Sequence, residues 1–339
     1  MVGFRTSVIC DGSAVRTDIG KTNMNLSTDN FSSLSPNHAV TFEIVEDGWV
    51  EIKPKAVTVT ITGNTDSKLY NGEAQSVSGY AVEISAPSLY KESDFTFAGE
   101  AEAKGTAVGT YQMGLSKDQF TNTNANFDVT FEVKSDGQLT ILKRAVTLTS
   151  ATDTKVYDGT ALTNANVAVG GDGFATGEGA TYDVTGTQTE VGSSNNTFTY
   201  TLNEGTKADN YTITTTAGTL TVTELTEKVT VTITENSGSE KYDGSEKTVT
   251  GYTVKISNPL YTEAYFTFSG DATVTGTDAG SYPMELKPAD FTNTNTNFTN
   301  VEFVIADGTL EILKRSVTLT SATDTKVYDG TALTNANVA

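Results

Sequence analysis

The chain holds one histidine, His38, and one cysteine, Cys10, and these two residues limit the nucleophilic and metal chemistry open to it. A serine-histidine-aspartate relay needs an imidazole to take the nucleophile's proton, so any such relay would have to run through His38. Zinc held by histidine and cysteine needs more of these ligands than the chain contains. Phosphate binding calls for a glycine-rich loop that opens a helix. The run Gly170-Gly171-Asp172-Gly173 is followed by loop-like sequence and reads as a turn. Carboxylates are abundant, with 42 acidic against 22 basic residues, and a glycosidase needs only two, but a catalytic pair duplicated in every module would be odd and the modules read as too small for a substrate cleft. Asp172, Glu178 and Asp183, or Asp271 and Asp278, are the candidates for an oxygen-lined calcium site, and the spacing of an EF-hand or nonapeptide repeat is missing. The reading is non-catalytic, with no catalytic residue, cofactor or metal assigned.

The remaining chemistry-bearing residues are tyrosines, and they sit at fixed places in a repeat. Leu142 to Ala168 recurs as Leu313 to Ala339 with a single change, Ala145 against Ser316. Between these blocks lie two kinds of module. Type one runs from about Val57 to Leu142 and returns from Val229 to Leu313, matching Tyr70 to Tyr242, Tyr111 to Tyr282 and Phe120 to Phe291. Type two starts at Val146 and again at Val317. Each module opens with apolar residues alternating with threonine, as in Val57-Thr58-Val59-Thr60-Ile61, which predicts a strand with one buried face. A tyrosine and a turn pair follow: Tyr70-Asn71-Gly72, Tyr157-Asp158-Gly159, Tyr242-Asp243-Gly244 and Tyr328-Asp329-Gly330. Asn-Gly and Asp-Gly predict a two-residue hairpin with both central residues at positive φ, and the tyrosine is expected to cover its base with the hydroxyl toward water. Glycine precedes each closing strand, as in Asp136-Gly137, Gly218 and Asp307-Gly308. No stretch has sustained helical periodicity; one helical turn is expected near Lys117–Phe120 and Pro288–Phe291.

These signals give an all-β chain of tandem small β-sandwich or Ig-like modules, alternatively β-grasp-like, arranged as a rod. The boundaries are 1–53 for the C-terminal part of a type-one module, 54–143 for type one, 144–225 for type two, 226–314 for type one, and 315–339 for the N-terminal part of type two. In the first segment Gly20, Met24, Phe31 and Asp47-Gly48 match Gly109, Met113, Phe120 and Asp136-Gly137. The joints are short, and their basic residues Lys53, Lys55, Lys143, Arg144, Lys314 and Arg315 are expected to contact acidic loops of the adjoining module. The partners expected first are therefore the neighbouring modules of the same chain. A formal charge of −20 disfavours nucleic acid and anionic membrane surfaces. No apolar run approaches the length of a membrane span, and the opening Met1–Asp11 lacks the apolar core of a leader. Trp49, the only tryptophan, stands where Gln138 and Thr309 stand in the other modules and is expected on an exposed face.

The Tyr-Asp-Gly turn, the type-two ending Asn210-Tyr211-Thr212-Ile213 through Gly218-Thr219-Leu220-Thr221-Val222, and the Lys-Arg joint resemble the tandem YDG and MBG-type repeats of large bacterial surface proteins. The resemblance implies an extracellular location on the bacterial surface and a stalk or adhesive role, with signal and anchor elsewhere. Two functions fit it: a spacer, or modules that bind host glycan or protein weakly with avidity from repetition. Both terminal segments read as partial modules. Limited proteolysis is expected to trim residues 1–53 and 316–339 quickly and leave a core from about Val57 to Leu313; equal resistance of the two end segments would show that they fold by themselves.

Overall fold

The structure is a computed structural model that describes residues 8–338. Met1–Ser7, where the leader was sought, and Ala339 lie outside the described residues. In the stretch 54–143 the chain comes in along Lys55–Gly63, with Val57, Val59 and Ile61 buried and the intervening threonines facing outward. After Asn64 the same run continues as Thr65–Leu69 in a second sheet. The closing run behaves alike, passing from Phe127–Ser135 to Gln138–Leu142. The two runs pair in parallel along their whole length, from Lys55 opposite Phe127 to Leu69 opposite Leu142. Where they change sheets the backbones nearly touch. A Cβ on Gly137 would lie 2.9 Å from the Asn64 carbonyl oxygen, and one on Gly63 would lie 2.1 Å from the Gly137 nitrogen. This close approach is why glycine precedes each closing strand.

Each paired run gains an antiparallel neighbour. Tyr80–Ile84 lies on Lys55–Gly63, and Gly109–Gln112 on Gln138–Leu142, giving two open three-stranded sheets. Two short ladders, Gln75–Ser78 with Glu102–Gly105 and Phe95–Phe97 with Phe120–Asn122, complete the set. Phe120 is the hub of the aromatic core, with ring centroids of Phe97, Tyr80, Phe131 and Phe95 at 4.9, 5.4, 5.7 and 6.0 Å. Tyr90 is fully buried, and its hydroxyl donates to Asp94 O and Asn122 Oδ1, both at 3.0 Å, so the polar tip is satisfied inside the core.

The stretch 226–314 repeats this plan. Val229–Glu235 and Gly238–Lys241 pair in parallel with Val301–Ala306 and Thr309–Leu313, from Val229 opposite Val301 to Lys241 opposite Leu313. Phe291 replaces Phe120 at the hub, 4.8 Å from Phe268 and 5.6 Å from Phe303. In the middle stretch, Gly218–Thr223 pairs in parallel with Asp153–Val156 and antiparallel with Gly192–Asn196. Among the described residues every helix is a single three-residue 3-10 turn, two of them at the predicted places, Lys117–Gln119 and Pro288–Asp290. The longer helix that a β-grasp packs on its sheet is not found among the described residues, which form small open sheets.

The chain groups into two compact units. One takes residues up to Leu148 with Val169–Thr181 and Thr201–Thr214; the other takes Thr149–Ala168, Tyr182–Tyr200 and Thr215 onward. The division runs through the middle stretch, so the contacts across each joint described below fall inside a single unit. The two near-identical blocks meet different fates: Val146 and Leu148 are 1% and 0% exposed, and Val317 and Leu319 are 79% and 72% exposed. Replacing Leu139 or Leu310, each fully buried, with alanine is expected to cost about 2 to 5 kcal/mol in denaturant unfolding. Val317→Ala should stay within about 0.5 kcal/mol.

Candidate functional site: the joints between modules

The Tyr-Asx-Gly turns are not hairpins. Thr65–Leu69, which enters the first, pairs with Gln138–Leu142, and Gln75–Ser78, which leaves it, pairs with Glu102–Gly105. The turn therefore carries the chain from one sheet to another, because the strands on either side already have other partners. Only the glycines take positive φ, +85° at Gly72, +78° at Gly159, +83° at Gly244 and +79° at Gly330. The Asx residue works through its side chain instead. Asn71, Asp158, Asp243 and Asp329 each accept the backbone N–H two residues on, at 2.9 to 3.0 Å. Lys155 adds an ion pair to Asp158 at 2.7 Å, and together with the Thr160 donors it holds that carboxyl down at about 2. In the turn at Asp243, Glu240 stands where Lys155 would be, and Lys247 supplies the ammonium from the far side at 2.7 Å, again lowering the carboxyl.

The turn fixes a tyrosine at the far end of its module. The Tyr70, Tyr157 and Tyr242 N–H groups donate to the last carbonyls of the closing runs, Leu142, Thr223 and Leu313, at 2.8 to 3.0 Å. Tyr70 and Tyr157 are buried, against the expectation of a hydroxyl in water, and what buries them is the next module. The Tyr70 ring meets Tyr211 edge-on at 5.6 Å, and Tyr157 meets Phe298 edge-on at 5.5 Å. Glu178 binds two tyrosines at once: one carboxylate oxygen accepts from Tyr70 Oη, the other from Tyr211 Oη at 2.7 Å. Burial, reinforced by Glu178, pushes Tyr211 up to about 12 and raises Tyr70. Arg144 donates to the carbonyls of Tyr70, Gly173 and Asp172, so this joint cation reaches backbone oxygens where carboxylates were expected.

A second contact recurs at three joints. An asparagine that precedes an aromatic residue at the near end of one module accepts a backbone N–H from the module before it. Asn126 Oδ1 takes the Ile19 N–H at 3.0 Å, Asn210 Oδ1 takes Val108 at 3.0 Å, and Asn297 Oδ1 takes Val191 at 2.8 Å. Each donor sits just before a glycine, in Ile19-Gly20, Val108-Gly109 and Val191-Gly192. The amide end of the asparagine meets an acid beside that donor where one exists: Asn126 Nδ2 donates to Asp18 at 3.2 Å, and Asn297 Nδ2 donates to Glu190. Asn297 is only 2% exposed, so its hydrogen bonds form away from water. The loops that deliver these residues are built from asparagine. Asn122 and Asn124 cap the N–H groups of Asn124 and Asn126, and Asn293 and Asn295 do the same for Asn295 and Asn297.

The sequence reading located the turn tyrosines and missed Asn126, Asn210 and Asn297. Their signal was an Asn-aromatic pair at the same place in each module, Asn126-Phe127, Asn210-Tyr211 and Asn297-Phe298. Two of the calcium candidates are engaged otherwise: Asp172 Oδ2 accepts the Ala145 N–H at 2.9 Å, and Glu178 serves the tyrosines. Among the described residues no group of three or more His, Cys, Asp or Glu side chains could hold a metal ion. His38 Nδ1 lies 2.9 Å from Ser35 Oγ, on the exposed surface. Tyr242 is 39% and Tyr328 93% exposed.

Comparison with known proteins places these modules. The sequence profile of the MBG domain matches residues 57–143 and 228–314, together half of the chain. No curated protein matches it. Among solved structures, one similar chain is the N-terminal eight Ig domains of Down Syndrome Cell Adhesion Molecule, at 9% identity and a TM-score of 0.16. The match covers 87% of this chain and spans half the length of that one.

Removing the asparagine contact is expected to loosen a joint without unfolding the module behind it. Asn297→Ala should cost about 1 to 3 kcal/mol and speed amide exchange at Val191, with the exchange of Ile312 unchanged. Gly159→Val, which forces a β-branched residue to positive φ, should lower stability by about 1 to 3 kcal/mol; an unchanged melting temperature would refute the turn geometry. Tyr211 is neutral in the fold up to about 12, against 10.0 when unfolded, so its contribution is complete below pH 10 and lost as pH rises from 10 to 12. Thermal unfolding followed across that window should fall, and Tyr211→Phe should make the fall shallower.

Proposed function

The chain belongs to the MBG domain family, and from that premise we propose that it is a non-catalytic stalk segment of a secreted bacterial cell-surface protein, its modules acting as spacers. One observation carries the reading. The parallel pairing of opening and closing runs brings the chain in at one end of a module and lets it out at the other, where a globular enzyme more often returns its termini to one side. A run of this length spans about 45 Å, so each added module lengthens the stalk by tens of ångströms. The joints support the same reading. They bury an aromatic pair and close a hydrogen bond through a buried or half-buried asparagine, which restricts bending far more than a flexible linker would. Among the described residues no helix is long and apolar enough to cross a membrane.

Adhesive binding of host glycan or protein, weak per module and strengthened by repetition, is the second reading. Trp49 favours it, being 49% exposed on the strand Trp49–Ile52 with Lys21 Nζ over its ring, 4.3 Å from the centroid. Small-angle scattering tests the stalk. A compact chain of this length has a radius of gyration of about 20 Å, and the spacer reading requires a clearly larger value with an elongated profile; a compact profile overturns it. On a glycan array, binding that disappears with Trp49→Ala would shift the assignment to the adhesive reading.

A further inference from the structure

The end of the stretch 226–314 carries the receiving half of a joint, and among the described residues no Asn-aromatic pair meets it. Tyr242 is held to the Leu313 carbonyl at 3.0 Å, as Tyr70 is to Leu142, but it is 39% exposed where Tyr70 is 4%. Beside it, Asp278-Ala279-Gly280 occupies the place of Ala107-Val108-Gly109, and it also restores the acid that Asp18 and Glu190 supply at the other joints. The loop is pinned in the same way as its sister: Tyr282 Oη donates to the Asp278 carbonyl at 2.9 Å, as Tyr111 Oη does to Ala107. The Ala279 N–H, equivalent to the Val108 N–H that Asn210 accepts, is exposed and donates to no group among the described residues. Tyr242, Asp278, Ala279, Arg315 and Val317 line an open, mainly apolar cleft of about 480 Å³.

We propose that this cleft is a docking surface for the near end of another module of the same family, recognised by an asparagine followed by an aromatic residue. A type-two body like that of Asn210-Tyr211 is the occupant it fits. The asparagine carbonyl takes the Ala279 N–H, its amide donates to Asp278, the aromatic ring lies edge-on to Tyr242, and a carboxylate placed like Glu178 accepts from Tyr242 Oη. Three filled joints show the first of these contacts and two show the aromatic pair, so the surface continues an interface already present in the chain. Arg315 stands where Arg144 stands, ready to donate to the carbonyls of the turn tyrosine and the incoming loop. The inference holds equally for spacer and adhesive modules.

The test extends the full chain. Because residues 313–339 repeat residues 142–168 with one change, adding a copy of residues 169–225 after Ala339 completes a second type-two module in register. Hydrogen exchange at Ala279 should slow by about tenfold or more, toward the rates of Val108 and Val191 in the same chain. Asp278→Ala should recover part of that exchange. Replacing the added copy of Asn210 with alanine should recover most of it, with the core of the added module still protected. A protected added core with Ala279 exchanging as fast as in the unextended chain overturns the proposal. Should the added core itself fail to protect, a second chain, in which Lys314 is followed directly by residues 55–143, presents Asn126-Phe127 to the same cleft. Fast exchange at Ala279 beside a protected core there overturns it too.

Discussion

The parallel pairing of the run 55–69 with the run 127–142, and of its counterpart 229–241 with 301–313, is the constraint from which the rest follows. It puts the incoming linker and the Asn-aromatic pair at one end of a module, and the turn tyrosine and outgoing linker at the other. Without it the tyrosine of one module would have no reason to face the asparagine of the next. It also demands a glycine where the runs change sheets, since the backbones there leave no room for a side chain. Parallel neighbours cannot be joined by a tight turn, so the residues between the runs must travel through the second sheet and the aromatic ladders before returning.

The joints share a plan but not a chemistry. At the Tyr70 joint the acid comes from the following module, where Glu178 takes both tyrosine hydroxyls. At the Ile19 and Val191 joints the acid comes from the preceding module and holds the asparagine amide. Each of these three joints thus has one carboxylate with donors already placed around it.

Much of this was legible in the residues. Alternating valine and threonine at Val57–Ile61 and Val229–Ile233 gave the strands and their buried faces, and the glycines gave the close approach and the turns. The register of the repeat set the two type-one stretches apart, and the MBG profile matches residues 57–143 and 228–314. The hairpin reading failed at Tyr70-Asn71-Gly72 because alternation reveals that a strand has a buried face, not which strand lies beside it; the Asn-Gly pair caps a turn between sheets just as well as it closes a hairpin. The joint asparagines were missed for a different reason. Asn126 and Asn297 sit in runs of asparagine and threonine that look like any polar loop, and only the fold shows that the alternate asparagines cap one another and deliver the last across the joint.

The direction of the end runs also decides how such a module meets mechanical load. Tension applied through Lys55 and Leu142 pulls the opening and closing runs past each other along their length, so the ladder from Lys55–Phe127 to Leu69–Leu142 is loaded in shear. Its hydrogen bonds must then yield together, where strands peeled from one end would give way one bond at a time. Forced unfolding is governed by the unfolding rate rather than by equilibrium stability, so a module of modest thermodynamic stability can still resist drag. Loaded in this way, threonine-rich strands in a chain with a single cysteine hold against a pull applied at the two ends of a module.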